Sequence, residues 1–399
     1  MATTLAERAA KLRSGNSALL PGEMIDSLIT VESIDHLRDI LDQGDGEAAR
    51  ATRVQAMFDG VTQSSDPGAG LLRRVHEYVF GNHVLSDEDR ALVKPAFPLA
   101  VRAITAVDKE ITSQWDLGQS GVPVVITLGT LTIGQGGYIT IENTVLLSFT
   151  VDNLIRNGNT GVSGFYDFNI LGVTGTTGGP GATPSAPGQA QNGEGGECSS
   201  GGIAAHGGGP GSPGATGTVG GTGVAGGDGL PSMPATITIN TSVGGTAAQV
   251  TIATRSGPGG AGGPGGTGSA GGQGGNGGNG VSCGCTGNAG GNGGQGGVGG
   301  AGGVGGTGGN GVDAAGNVKV HVPAAYANRI APVQLVAGAG AGGGAGAGGA
   351  GGPGGGGSSG GKHNNGGNAG GQGSSGGPGS AGANGTATGK PATITVQPT

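Results

Sequence analysis

Aromatic residues are scarce in this chain of 399 residues: six Phe, four Tyr and one Trp, 3% of the total. They are also unevenly placed, since only Tyr326 lies beyond Phe168. An ordinary hydrophobic core is therefore expected before about residue 170 and excluded after it. Charge is thin as well, at 11% of residues. Beyond residue 160, Arg255, Lys319, Arg329, Lys362 and Lys390 balance Asp167, Glu194, Glu197, Asp228 and Asp313, so the formal charge of −7 falls on the first part of the chain. No basic patch and no aromatic–Arg interleaving is present, which excludes a nucleic-acid partner. No apolar run reaches the roughly 18 residues that mark a membrane span. Met1 to Ser17 lacks the apolar core of a secretory signal. Cytoplasmic synthesis is expected, followed by signal-independent release to an extracellular, virion or cell-surface assembly.

Glycine is what the chain has instead, 102 residues of it, with 15 before position 161 and 87 from there on. Their register is regular. In 257–280 the other residues fall at Pro258, Ala261, Pro264, Thr267, Ala270, Gln273, Asn276 and Asn279, with Ser269 the one exception. In 290–311 they fall at Asn292, Gln295, Val298, Ala301, Val304, Thr307 and Asn310. Gly172–Gly181 and the tracts 208–229, 338–362 and 366–389 also keep Gly in every third place. A flexible Gly/Ser linker has no reason to hold such a phase. A left-handed extended helix of three residues per turn does, because its glycine edges let backbones approach and bond laterally. A collagen-like trimer fits less well, since three of these tracts carry Gly at nearly two positions in three and Pro is sparse.

The expected fold class is multidomain: a small N-terminal helical domain (1–117), a β-rich connector (118–171), and a polyglycine II helix bundle (172–399) with short β inserts at 234–255, 312–336 and 391–397. Leu5, Ala9 and Leu12 space as one helical face, and Ile34, Leu37, Ile40 and Leu41 as another behind Ser33. Further helices are expected over Glu47–Phe58, Leu71–Phe80, after Ser86, and over Leu99–Trp115. Val124–Ile126, Leu131–Ile133, Tyr138–Ile141 and Val145–Val151 read as strands separated by turn residues. Ala235–Ile239 and Gln249–Ile252 suggest a hairpin about Gly244-Gly245, and the inserts together a second small sheet at one end of the bundle.

Three cysteines, Cys198, Cys283 and Cys285, all lie among the glycine tracts, and an odd count excludes complete intrachain pairing. Antiparallel travel of successive tracts returns Cys283 and Cys285 toward Cys198. One disulfide is expected, from Cys198 to either of the other two, in preference to a zinc site with His206.

Catalytic motifs are not convincing. G-x-G-x-x-G recurs without the strand-to-helix setting that a dinucleotide site needs. Gly357–Gly361 and Gly373–Gly377 approach a nucleophile-elbow pattern by Gly/Ser composition alone. His36, His76, His83, His206, His321 and His363 form no metal-binding i, i+4 pair, and Asp87, Glu88 and Asp89 read as an acidic first helical turn. The expectation is a non-enzymatic protein with no catalytic, cofactor or metal residues. It is expected to be a self-associating subunit of a fibre or surface assembly, with copies of itself as partners. Val298, Ala301 and Val304 would form a lateral packing face.

The G-G-x register of 257–280 and 290–311 resembles two families. One is the glycine-rich tail-tip adhesins of certain phages; the other is the snow-flea-type antifreeze proteins, bundles of six antiparallel polyglycine II helices. The first resemblance implies a bacterial cell-surface receptor bound by loops within 182–207, 230–256, 281–289, 312–337 and 363–366. The second implies ice binding.

Overall fold

The computed structural model describes residues 4–12, 19–41, 70, 71, 74, 75, 78, 79, 84–118 and 122–399. Short helices occur at α1 (Leu5–Lys11), α2 (Ile34–Leu41) and α3 (Asp87–Val93). α1 opens on a Thr4–Glu7 capping box, and α3 on Ser86, whose Oγ accepts from the Asp89 N–H at 3.1 Å. Each device satisfies amides that the first helical turn leaves without partners. The expected helix at Glu47–Phe58 lies outside the described residues, as do His76 and His83, and the one at Leu71–Phe80 lies largely outside them.

Strands dominate the rest. The first are β1 (Met24–Val31), β2 (Leu99–Ile111), β3 (Gln114–Asp116), β4 (Val124–Ile133), β5 (Tyr138–Glu142), β6 (Leu146–Arg156) and β7 (Phe168–Leu171). Later ones are β10 (Ala235–Gly244), β11 (Val250–Arg255), β14 (Val318–Val322), β15 (Ile330–Leu335) and β16 (Ile394–Pro398). The two-residue to three-residue pieces β8 (Glu197–Cys198), β9 (Ala204–His206), β12 (Ser282–Cys283) and β13 (Thr286–Gly287) form two small hairpins. A seven-stranded sheet runs β1-β2-β4-β6-β10-β14-β16, parallel except where β1 meets β2. A five-stranded sheet runs β15-β11-β7-β5-β3 and is parallel throughout. The chain coils, giving one strand to each sheet in turn.

This architecture corrects the expected class. The protein is a sheet-rich α/β fold, not a helical domain and connector followed by a polyglycine II bundle. Leu99–Trp115 is strand rather than helix. Its apolar spacing suits either form, but Val101, Ile104, Thr105, Val107 and Ile111 are β-branched, and β2 is held on both sides by β1 and β4. Tertiary pairing decides such ambiguous runs. The inserts form no separate sheet and no hairpin about Gly244-Gly245. β10 joins one sheet and β11 the other, and the inserts continue sheets that the connector begins.

The sheets face each other across one core. Phe149 of β6 meets Phe168 of β7 edge-on at 5.3 Å, and Trp115 of β3 meets Phe149 at 6.4 Å. Ile126, Leu128, Ile139, Ile237, Ile252 and Val320 are buried with them. A second cluster lies on the other face of the larger sheet, where Leu12, Ile34, Ile40 and Leu41 of the helical segments pack over Val101, Ala103 and Val125. Gly129 permits close approach on this face, since a Cβ would lie 2.5 Å from the Val107 carbonyl and 3.0 Å from the Leu5 side chain of α1.

One buried ion pair fastens successive turns of the coil. Arg156 Nε donates to Asp167 Oδ1 at 2.5 Å, and its Nη1 donates to the carbonyls of Ile133, Gly134 and Asn157. Asp167 Oδ2 accepts from the Thr251 N–H and hydroxyl at 2.8 and 2.9 Å. Three turns between the sheets therefore meet at one ion pair, two of them at its carboxylate and the third at its guanidinium.

The glycine tracts are excursions of this coil. After β7 the chain runs out through 172–196 and back through 207–230. After β11 it runs out through 256–281 and back through 288–311, and after β15 out through 338–361 and back through 366–389. These are three hairpin layers, stacked in chain order. They are neither helix nor strand, and their backbones bond laterally at three-residue intervals. Gly260, Gly263 and Gly266 donate to Gly227, Val224 and Gly221 at 2.8–2.9 Å, and Gly259, Gly262 and Gly265 to Gly338, Ala341 and Gly344 at 2.8–2.9 Å.

Glycine density follows the number of neighbours. Each middle-layer tract bonds to four others: 288–311 meets 207–230, 256–281, 338–361 and 366–389. A Cβ on Gly302 would overlap the Gly346 carbonyl, and one on Gly303 the Gly221 carbonyl. Tracts 172–196 and 366–389 each bond to two others; the second keeps Gly at one position in three from Gly367 to Gly385, and in the first Pro184, Pro187 and Ala190 break even that register.

Two outcomes follow. Asp167→Ala, which strands a buried guanidinium, should cost about 3–5 kcal/mol in denaturant unfolding. Gly302→Ala or Gly303→Ala should destabilise by about 1–3 kcal/mol or more, whereas Gly377→Ala, where a Cβ meets nothing within 4 Å, should leave the melting curve in place.

Candidate functional site: the braced distal tip

The far ends of the three layers converge. The first ends in the β8–β9 hairpin, the second in the β12–β13 hairpin, and the third in the turn 362–365. Gly202 and Gly284, with φ of +70° and +50°, supply the left-handed turn positions of the two hairpins, and His363 adopts φ +62° in the third. Non-Gly residues seldom adopt that conformation.

Cys198 and Cys283 are joined by a disulfide, which ties the first layer to the second across 85 residues of sequence. Cys285 is free and exposed. Asn288 gathers all three layers. Its Oδ1 accepts from the Val281 N–H at 2.7 Å, its Nδ2 donates to the His206 carbonyl, and its own carbonyl accepts from the Gly361 N–H at 2.9 Å. Thr286 Oγ1 accepts from the Ala204 N–H at 3.2 Å, and Ser282 Oγ from the Lys362 N–H at 2.8 Å. The surface so held is polar and exposed: Glu197, Ser199, Ser200, His206, Lys362, His363, Asn364 and Asn365, with Ile203 at 61% exposure the one large apolar side chain.

The other residues singled out in the sequence lie apart from the tip. Val298, Ala301 and Val304 share an exposed row on the flank of the middle layer, with Val298 44% and Val304 43% exposed. Asp89 is buried against Arg74 through two hydrogen bonds of 2.7–2.8 Å, so it holds the helical segment. Ser358 of the elbow-like pattern donates to the Gly278 and Gly291 carbonyls at 2.5 and 3.0 Å. His321 is buried on β14. Two residues earlier on the same strand, burial lowers the pKa of the Lys319 amine to about 8. Of the receptor segments implied by the adhesin resemblance, 230–256 and 312–337 are largely sheet strands; the ends of the tracts are what remain. Among the described residues no group of three or more His, Cys, Asp or Glu is placed to hold a metal ion, and no helix is long and apolar enough to cross a membrane.

No protein-family model matches this chain, and no curated protein matches it. Among solved structures there is a match to the nine polyproline type II helical bundle springtail antifreeze protein from Granisotoma rainieri. It is 23% identical, covers 57% of this chain and 96% of that one, and has a TM-score of 0.09. So weak a structural overlap does not sustain the resemblance to polyglycine II families drawn from the G-G-x register, which the sheet-rich fold replaces.

Asn288 was not singled out in the sequence, although it interrupts the triplet register where the chain turns. Cys198→Ser should lower the melting temperature, by an amount set by about 2–4 kcal/mol. Asn288→Ala should speed amide exchange at Val281, whose N–H loses its side-chain acceptor, while the Gly361 amide, bonded to the backbone carbonyl at 288, and the sheet amides stay protected.

Proposed function

We propose that this is a non-enzymatic structural protein in which the coiled sheets form a base and the layered arm displays a braced recognition tip to an extracellular surface receptor. The observation that carries this reading is the convergence of three separate chain reversals at one end of the arm, cross-tied by Cys198–Cys283 and by Asn288. A disulfide on exposed hairpins far from the core fixes the shape of a surface rather than filling an interior. Few aromatic anchors are available, so the tip would recognise a polar ligand through Asn, Ser and backbone groups, as adaptable binding loops do. A bacterial cell surface is the proposed target.

A second reading is a self-associating subunit of a fibre or surface assembly. It is favoured by the edge strands β15 and β16, which lie at the same end of the two sheets. Edges of this kind accept further strands. Pro332 within β15 and Pro398 at the end of β16 limit that pairing.

The test is binding of the full chain to a panel of intact bacterial cells, against a variant with Ser199, Ser200 and Ile203 replaced by Gly and Lys362, His363 and Asn364 by Ala. Saturable binding that falls at least about tenfold in the variant supports display. Binding that survives unchanged, or is absent across the panel while electron microscopy shows filaments, removes it in favour of assembly.

A further inference from the structure

The outer faces of the three-layer stack are complementary in hydrogen bonding. On the third layer the N–H groups of Ala345, Gly348, Gly351 and Gly354 donate to no carbonyl, and the carbonyls of Gly370, Gly373, Gly376 and Gly379 accept from no amide, among the described residues. Their counterparts one layer down are all used: Gly265, Gly268, Gly271 and Gly274 donate upward, and Gly294, Gly297, Gly300 and Gly303 accept. The first layer presents the opposite set, with the carbonyls of Thr174, Thr177 and Pro180 open where Pro258, Ala261 and Pro264 accept from the layer below. By hydrogen bonding alone, one copy's third layer could receive another copy's first.

Side chains prevent it. In the middle layer the row Gly293, Gly296, Gly299, Gly302, Gly305 and Gly308 is bare, and a Cβ at any of them would overlap a carbonyl of the tract above. The register Asn292 to Asn368 and Asn310 to Thr386, fixed by side-chain hydrogen bonds of 2.8 and 2.9 Å, places Ala369, Gln372, Ser375, Pro378, Ala381 and Asn384 in that row on the third layer. All six are exposed and none is Gly. The first layer answers in kind. Asn192 to Asn276 fixes its register at 2.8 Å, so Thr176, Ala182 and Gln191 stand where the middle layer has Gly260, Gly266 and Gly275, while Gly179 and Gly188 leave the row bare at two places. On the return tract, Ser212, Ala215, Thr218 and Val224 stand where it has Gly294, Gly297, Gly300 and Gly306, with Gly221 and Gly227 bare places between and beyond them.

We infer that these outward rows are steric caps, which close both broad faces of the arm to a further glycine tract, one from another copy of this chain included. Terminal units of stacked repeats need such outer faces, and here the means is a Cβ placed where a neighbouring carbonyl would lie. Association between copies then uses another surface. The inference does not depend on what the tip binds.

The test is amide exchange and light scattering on the full chain. In the wild type, Gly348, Gly351 and Gly354 should exchange at least about 100-fold faster than Gly349, Gly352 and Gly355 at every protein concentration. A variant with Gly at all the capping positions of both faces should form multimers and protect Gly348, Gly351 and Gly354. Concentration-dependent protection of those amides in the wild type would overturn the inference. So would a bare-faced variant that keeps its middle-layer protection and stays monomeric. Should that variant fail to fold, the wild-type exchange measurement decides alone.

Discussion

A backbone amide removed from water must find a carbonyl, and this constraint governs the half of the molecule that has almost no side chains to bury. The sheets meet it through ladders. The tracts meet it by pressing bare backbone against bare backbone every third residue, at 2.7–3.0 Å over most of their length. Glycine is needed there because of close approach rather than unusual dihedrals: the left-handed glycines lie in turns such as Gly202, Gly245 and Gly284. The entropy that glycine loses on ordering is offset only because each middle-layer tract is bonded on several sides. A single hairpin layer would lack that support, and stacking on a coil of sheets supplies it.

The sheet coil and the arm are one repeating object. Leu171, Arg255 and Leu335 are neighbours across the smaller sheet, and Val320 and Val396 across the larger. The same offsets continue into the layers, where Asn192 lies beside Asn276, and Asn310 beside Thr386. Side-chain oxygens of Asn192, Asp228, Asn276, Asn292 and Asn310 accept from backbone N–H groups of the next layer at 2.6–2.9 Å, so the flanks satisfy amides that have no tract to face. Register thus passes from the base to the tip through specific side chains, and it brings Cys198 beside Cys283.

Much of the local structure was legible in the sequence. The triplet phase marked where the tracts run, and the apolar runs at Val124–Ile126, Tyr138–Ile141 and Ala235–Ile239 marked strands. Ser86 marked a helix start. The assembly of these parts was not legible from such patterns. Leu99–Trp115 carries a spacing that suits helix and strand alike, and only its partners β1 and β4 decide. Treating the first insert as a local hairpin, and the inserts together as a separate small sheet, hid the crossing between sheets. One signal could have shown it: Pro180, Thr183, Ser185, Ala186, Gln189 and Asn192 recur as Pro264, Thr267, Ser269, Ala270, Gln273 and Asn276 at a constant offset of 84. A repeat of that length spans a whole turn of the coil, longer than the three-residue phase that draws the eye. At the tip, the sequence left Cys283 and Cys285 as equal partners for Cys198, and the β12–β13 turn, which buries one and exposes the other, separates them.

The tracts run lengthwise between the sheets and the tip, and the disulfide joins the first two layers at the end where a ligand would pull. Tension drawn along that direction is parallel to the chains and perpendicular to their lateral bonds. It loads the rungs of a layer in shear, many at once, instead of peeling them in succession. The weakest chemical groups in the molecule are thereby arranged as a mechanically stiff strut, and the covalent cross-tie spreads a load applied at one loop over two layers.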